Sequence, residues 1–205
     1  MTVFDSGWED SGGSDVTDDG KWGNSSGTLD VISIGQLYGL YSLRATGSVA
    51  QVVKTLASGY ATLYFRFEVK LDDVTNYTEL LKISNAAYGQ TIVVGVQNGK
   101  WFLASPSGTT YNLGVAVIDT KYCVEARRTV GTGDGIAALW VDGDLLSNKT
   151  TETLTGDGKV LQFGHPYRAS GDAIGIFDSV IASETYIGPP EEPPGEEDGI
   201  LVQVM

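Results

Sequence analysis

Between Tyr60 and Lys70 the chain reads YATLYFRFEVK. Leu63, Phe65, Phe67 and Val69 alternate there with Tyr64, Arg66, Glu68 and Lys70. A period of two puts the first set on one face of an extended strand and the second on the other, because successive side chains point to opposite sides. A helix would scatter both sets around its axis. The segment is therefore a strand buried on one face, which requires a sheet packed against a second apolar layer. The same reading fits TLDVISI, LYSLRAT, SVAQVVK, TELLKIS, TIVVGVQ, KWFLA, KYCVEARRT, IAALWVDG, KVLQFG and AIGIFDSVIAS. In KYCVEARRT, Tyr122, Val124 and Ala126 share one face and Cys123, Glu125 and Arg127 the other. In IAALWVDG, Ala137, Leu139 and Val141 oppose Ala138 and Trp140.

The connections carry turn chemistry. Asn98-Gly99 is a hairpin signal, and Asp134-Gly135, Asp142-Gly143 and Asp157-Gly158 mark further turns. No segment has a sustained helical period with caps. Short strands with frequent turns predict an all-β, antiparallel two-sheet sandwich of jelly-roll type. Residues 5–28, rich in Gly, Ser and Asp, predict a long loop anchored by Trp8 and Trp22, and one domain is expected over residues 1–188. Residues 189–205 then shift to Pro, Glu, Asp and Gly before an apolar end, the composition of an extended acidic C-terminal arm. Ile200, Leu201, Val202 and Val204 are expected to dock on a protein partner or a second copy by strand addition.

Lys and Arg total 13 against 26 Asp and Glu, a net charge of −13. Such a surface repels phosphate backbones and anionic lipid, so nucleic acid and membrane are excluded as expected partners. The one cysteine, Cys123, cannot form an intrachain disulfide and reads as a small core residue. The start, MTVFDSGWED, has neither the basic nor the apolar region of a secretory signal.

The run KYCVEARRTVGTGDGIAALWVDGDLL resembles a segment of the laminin-G-like, concanavalin A-like lectin/glucanase jelly rolls. It has Tyr122, Val124 and Glu125 in place of a W-x-V-E-V strand, a Gly-rich hairpin from Gly131 to Gly135, and a strand ending in Val141-Asp142-Gly143. Upstream, FDSGWED and YSLRATGSVAQVVKTL look like the opening segment and the strand pair that follows. Downstream, AIGIFDSVIASETYIGP looks like the closing strand, so the resemblance spans about residues 3–188. It implies a lectin-like fold whose members include glucanases, polysaccharide lyases and non-catalytic glycan-binding modules. It also implies a structural Ca²⁺ between opening and closing strands, with Asp5 and Asp178 as ligands and DVTDDG (Asp15, Asp18, Asp19) as the alternative.

Glucanases of this fold carry E-x-D-x-x-E on one strand, and the chain has no such motif. Lyases of the fold use Tyr and Arg with His or Asn/Gln. The single histidine, His165, stands beside Tyr167 and Arg168, but Gly164 and Pro166 bracket it and predict a loop. Glycan binding asks only for aromatic faces and a few polar groups. If the strands pair, Tyr64, Arg66, Glu68, Glu125, Arg127 and Trp140 form such a face, and the same face also reads as a solvated surface of Arg–Glu pairs with Trp140 under a loop. The leading expectation is a non-catalytic lectin-like decoration or adhesion module, on a virion or extracellular surface by analogy with phage particles. The alternatives are a carbohydrate-binding module of a secreted polysaccharide-degrading protein and a polysaccharide lyase.

Overall fold

A computed structural model describes residues 2–6, 8, 17, 21–33, 37, 40–169 and 173–189. Every regular element among them is a strand. No helix there is long and apolar enough to cross a membrane. In chain order the strands are β1 (Thr2–Ser6), β2 (Asn24–Ile32), β3 (Ser42–Tyr60), β4 (Thr62–Leu71), β5 (Thr78–Ser84), β6 (Ile92–Gln97) and β7 (Lys100–Ser105). They continue with β8 (Gly108–Thr110), β9 (Lys121–Thr129), β10 (Gly131–Val141), β11 (Asp144–Leu154), β12 (Gly158–Arg168) and β13 (Ile174–Ser183).

All pairings are antiparallel. The hydrogen-bonded path runs β11-β10-β9-β4-β13-β3-β12-β5-β6-β7-β8 and folds over into two layers, β11 to β13 in the first and β12 to β8 in the second. β3 joins them. Its Leu43–Thr46 half pairs with β13 and its Ala50–Tyr60 half with β12. LYSLRAT and SVAQVVK, expected as two strands, are thus one strand that serves both layers. Gly27 and Gly47 make the crossing possible. Ser26 faces Gln51 while Thr28 faces Thr46, so four residues of β3 swing out opposite one of β2. Gly27 has φ +82°, and a Cβ there would lie 1.8 Å from the Val49 carbonyl oxygen.

The apolar stripes meet between the layers. Leu63, Phe65, Phe67 and Val69 are fully buried, and Val124, Ala126, Ala137 and Leu139 lie in the same core. Leu81, Ile83, Val94, Leu103, Leu161 and Phe163 face them from the second layer. The Phe163 ring is 5.0 Å from Phe67, 5.0 Å from Phe177, 5.6 Å from Phe65, 5.8 Å from Trp22 and 6.5 Å from Trp8. Trp8 and Trp22 are the anchors expected of them, and each is buried. Asn98-Gly99 (φ 51° and 69°) and Asp142-Gly143 (φ 52° and 86°) turn β6 into β7 and β10 into β11 in the left-handed conformations their sequences favour. Asp134-Gly135 instead falls at a register shift inside β10.

His165 departs from expectation. It lies within β12, opposite Ala50, rather than in a loop. Its ring is fully buried and edge-on to Phe177 at 5.6 Å. Gly175 leaves the space, since a Cβ there would come within 2.6 Å of Nε2. Burial holds its pKa down at about 4, against the approach of the Gly47 backbone and with the Arg168 charge adding to the shift.

Two outcomes follow. Phe163→Ala should cost about 3–5 kcal/mol in urea unfolding, because six rings share one packing site. His165 binds a proton near pH 6.5 unfolded but only near 4 folded, so its stability contribution is complete above 6.5 and falls as pH drops toward 4. Between pH 7 and 5 this loss should be about 2 kcal/mol, and His165→Leu should remove that part of the slope.

Candidate functional site

Register brings all six sequence-selected residues onto the outer face of the first layer. Tyr64 pairs with Arg127, Arg66 with Glu125, and Glu125 with Trp140. The chain then partly covers this face itself, with Tyr186 left 46% exposed. After β13, Tyr186 to Pro189 return across β4, β9 and β10. The Glu125 carboxylate accepts the Ile187 and Gly188 N–H groups, each at 2.9 Å. Arg66 Nη1 donates to the Gly188 carbonyl at 2.8 Å. The Tyr186 ring lies 5.3 Å from Trp140 and 6.1 Å from Tyr64. Pro189, first residue of the expected arm, rests on the Gly143 turn, 3.4 Å from where a side chain there would begin.

Arg66, Glu68 and Glu125 are therefore buried and engaged within the protein. Glu68 pairs with Lys121 at 2.8 Å. Burial pushes the Glu125 pKa up, opposed by the two backbone donors and by Arg66. Tyr64, Arg127 and Trp140 are half-buried at the rim. The Arg127 guanidinium lies 5.5 Å over the Tyr64 ring, and its Nε donates to Thr129 Oγ1 at 2.9 Å. Cys123 belongs to this outer face, opposite Glu68, rather than to the core between the layers. Burial raises its thiol to about 11, so it stays protonated at neutral pH.

The opening and closing strands do pair, with Asp5 opposite Ile181. The Asp5 side chain, and Asp15, Asp18 and Asp19, lie outside the described residues. Asp178 accepts from Ser42 Oγ at 2.6 Å and from the Ser179 N–H at 2.7 Å. Among the described residues no three His, Cys, Asp or Glu side chains gather in a way that could hold a metal.

A second polar and aromatic surface lies on the outer face of the second layer. Register shifts in β12 and β5 set Tyr167 opposite Glu79, which pairs onward with Gly95 and Phe102. Phe102 is fully buried yet outside the core cluster. Its cover is Tyr77, stacked at 4.8 Å and 17°, and Tyr111 at 5.9 Å. Tyr167 flanks Tyr77 at 6.1 Å. Tyr111 and Tyr167 are 48% and 47% exposed, so two open rings stand at the ends of the Tyr77–Phe102 stack, with buried Phe102 as its floor. Gly95 is part of that floor, since a Cβ would lie 2.1 Å from the Thr78 carbonyl oxygen and 2.5 Å from the Phe102 ring.

Polar groups lie at the Tyr77 and Tyr167 end of this series. Glu79 accepts from the Tyr77 hydroxyl at 3.0 Å and pairs with Lys82 at 2.6 Å. Gln162 Nε2 donates to Gln51 Oε1 at 3.2 Å on the neighbouring strand. Arg168, beneath, donates to Thr78 Oγ1 at 3.3 Å and pairs with Asp73. Burial would raise Asp73, but donors from Thr75, Arg168 and Asn76 prevail and hold it at about 2. Burial, reinforced by Glu79, pushes Tyr77 above the usual phenol range, which keeps its hydroxyl a donor. Sequence reasoning missed this surface because Tyr77, Phe102 and Tyr111 come from three separate segments, and bulges decide which way Glu79 and Tyr167 face.

No protein-family model matches the chain, and no curated protein matches its sequence. Solved structures share the fold. An endo-β-1,4-glucuronan lyase from the fungus Trichoderma reesei superposes with TM-score 0.66 at 15% identity, over 80% of this chain and 91% of that one. The cellulose-induced protein Cip1 gives 0.59 at 15%, over 82% and 90%. Botulinum neurotoxin type C, whose cell entry depends on interaction with two ganglioside molecules, gives 0.56 at 12%, over 80% and 44%. The chain has the concanavalin A-like jelly-roll fold.

The clasp over the first layer has a direct readout. Glu125→Ala strands two buried N–H groups and Arg66, so hydrogen exchange at Ile187 and Gly188 should quicken about 10- to 100-fold, equivalent to about 1–3 kcal/mol. Unchanged protection would mean that Glu125 does not hold the segment.

Proposed function

We propose that this protein is a non-catalytic, lectin-like module that binds glycan on the outer face of its second layer, along the ring series that ends in Tyr111 and Tyr167. One observation carries the reading: a series of rings, Tyr167, Tyr77, Phe102 and Tyr111, crosses the outer face of this layer, and its two end rings are half-exposed. Aromatic faces suit the C–H surfaces of sugar rings, and Glu79 and Lys82, beside Tyr77, supply hydrogen-bonding groups. The fold's occurrence in a ganglioside-dependent toxin and a glucuronan lyase supports a carbohydrate ligand.

Binding is favoured over β-elimination by the placement of the expected lyase groups. His165 packs against Phe177, and Arg168 is engaged by Asp73 and Thr78, away from an exposed role beside Tyr167. We read the setting as a virion or other external surface, where a strongly acidic module decorates or adheres and its arm carries assembly. A carbohydrate-binding module of a polysaccharide-degrading protein is the second reading, favoured by the fold shared with Cip1, a cellulose-induced protein.

A glycan array followed by calorimetry tests the site. Tyr111→Ala and Tyr167→Ala should each weaken binding about tenfold or more, some 1.4 kcal/mol, while Trp140→Ala should leave it unchanged. Loss on Trp140→Ala instead would place the ligand on the first-layer face of Tyr64, Arg66, Glu68, Glu125 and Arg127. Binding to no glycan would overturn the proposal. Unsaturated uronate absorbance appearing on incubation with glucuronan would establish the lyase reading in its place.

A further inference from the structure

The clasp fixes where the arm departs. Pro189 sits on the Gly143 turn, where β10 becomes β11. Beside that point the surface is unusually apolar for so acidic a chain. Leu145 is 52% exposed on β11. In the segment between β8 and β9, Val115, Val117 and Ile118 are 59%, 49% and 51% exposed. The Val115–Ile118 segment reaches β11 on its inner side, where Gly114 packs so closely on Leu146 that a Cβ would lie 3.1 Å from its Cδ1, while Leu145 points to the outer face beside Trp140. The Val117 N–H donates to the Tyr122 hydroxyl at 2.9 Å, and the Asp119 N–H to the Leu71 carbonyl at 2.8 Å, so this ridge is fixed to the sheet.

The ridge borders a sheet edge. Among the described residues β11 pairs with β10 alone. Its far half is tied by side chains to the β7–β8 hairpin, where Glu152 accepts from Ser105 Oγ at 2.7 Å and Lys149 donates to Ser105 Oγ at 2.9 Å. The near half, Asp144–Ser147, lies next to the ridge. An edge with unpaired N–H and C=O groups is a template for another strand.

The occupant is written in the sequence. Ile200, Val202 and Val204 alternate with Leu201, Gln203 and Met205, a strand pattern with a β-branched face. These residues lie outside the described ones. Residues 190–199 separate them from the clasp, and ten residues reach at most about 33–36 Å. That spacer holds Pro190, Pro193 and Pro194 and the acids Glu191, Glu192, Glu196, Glu197 and Asp198. Proline stiffness and mutual repulsion oppose doubling back onto a seat beside the exit, and favour delivery across a gap.

From this placement we infer that residues 200–205 of one copy add as a strand to the near half of β11 in a second copy, with Ile200, Val202 and Val204 on the inner side, toward Leu146 and the Val115–Ile118 ridge. Donor and acceptor are different surfaces, so the contact is head-to-tail and propagates into rings or filaments. The inference gives the assembly half of the proposed function its surface and does not depend on glycan binding.

Sedimentation velocity of the full chain over a range of concentrations tests it. Wild type should gain mass with concentration, while Val202→Asp and Val117→Asp should each stay monomeric. Val117 is exposed, so melting of that variant should match wild type and show that it folds. An equimolar mixture of the two variants should recover dimers, because one retains the seat and the other the tail. A monomeric wild type at all concentrations overturns the inference, including the case in which its tail is protected from proteolysis by docking on its own ridge. Association that survives Val202→Asp overturns it as well. Wild-type glycan affinity in the monomeric variants would separate this result from the fate of the glycan site.

Discussion

Phe163 is where the molecule closes. Its ring lies on β12, at the junction where β3 leaves one layer for the other, and it touches rings from β4, β13 and the N-terminal segment. Each contact is modest, and edge-on or offset aromatic pairs add only about 0.5–1.5 kcal/mol beyond burial. Their convergence is what matters. Trp8 and Trp22 stack on this ring from a segment rich in Gly, Ser and Asp, so the least apolar part of the chain is held by its two largest side chains. The bend at Gly27 and Gly47 then has a fixed place, because β2, β3 and β12 all pack on the same cluster.

With one face of each layer consumed by the core, the outer faces are free to differ. Both carry polar and aromatic side chains by the same alternation. On the first layer, a buried carboxylate and a buried guanidinium are costly alone, and the cost is met by a backbone that returns to them. Glu125 takes two N–H groups and Arg66 donates to a carbonyl, while Tyr186 fills the space between Trp140 and Tyr64. On the second layer no comparable segment crosses Tyr111 and Tyr167 among the described residues, so two rings are half-exposed there against one, Tyr186, on the first.

The fold was legible because strand period and turn chemistry are local. Leu63, Phe65, Phe67 and Val69 announce a one-faced strand, and Asn98-Gly99 and Asp142-Gly143 need only their own backbone preferences to make hairpins. Features that depend on partners were not legible. β11, reading DLLSNKTTETL, has little apolar alternation and is a strand because it lies on β10. His165 sits between Gly164 and Pro166, both poor strand residues, yet a register shift on β12 carries the strand through them. The face of Tyr64, Arg66, Glu68, Glu125, Arg127 and Trp140 was correctly assembled from periodicity. Its accessibility was not readable, since that depends on a return path of Tyr186–Pro189 that no period encodes. The ring series over Phe102 needed two bulges to be known in advance.

The two outer faces are linked through the chain's path. Because Glu125 and Arg66 hold Ile187 and Gly188, the residue that follows is directed onto the Gly143 turn instead of into solvent at an arbitrary angle. A clasp of this kind removes conformational freedom from the root of the arm and leaves the spacer beyond it to set the reach. The clasped face thus acts on position through its buried Glu125 and Arg66, and the face on the opposite side of the sandwich carries no clasp among the described residues. A ligand on Tyr111 and Tyr167 and a neighbour on β11 would then occupy separate surfaces, and neither needs the first-layer face to open.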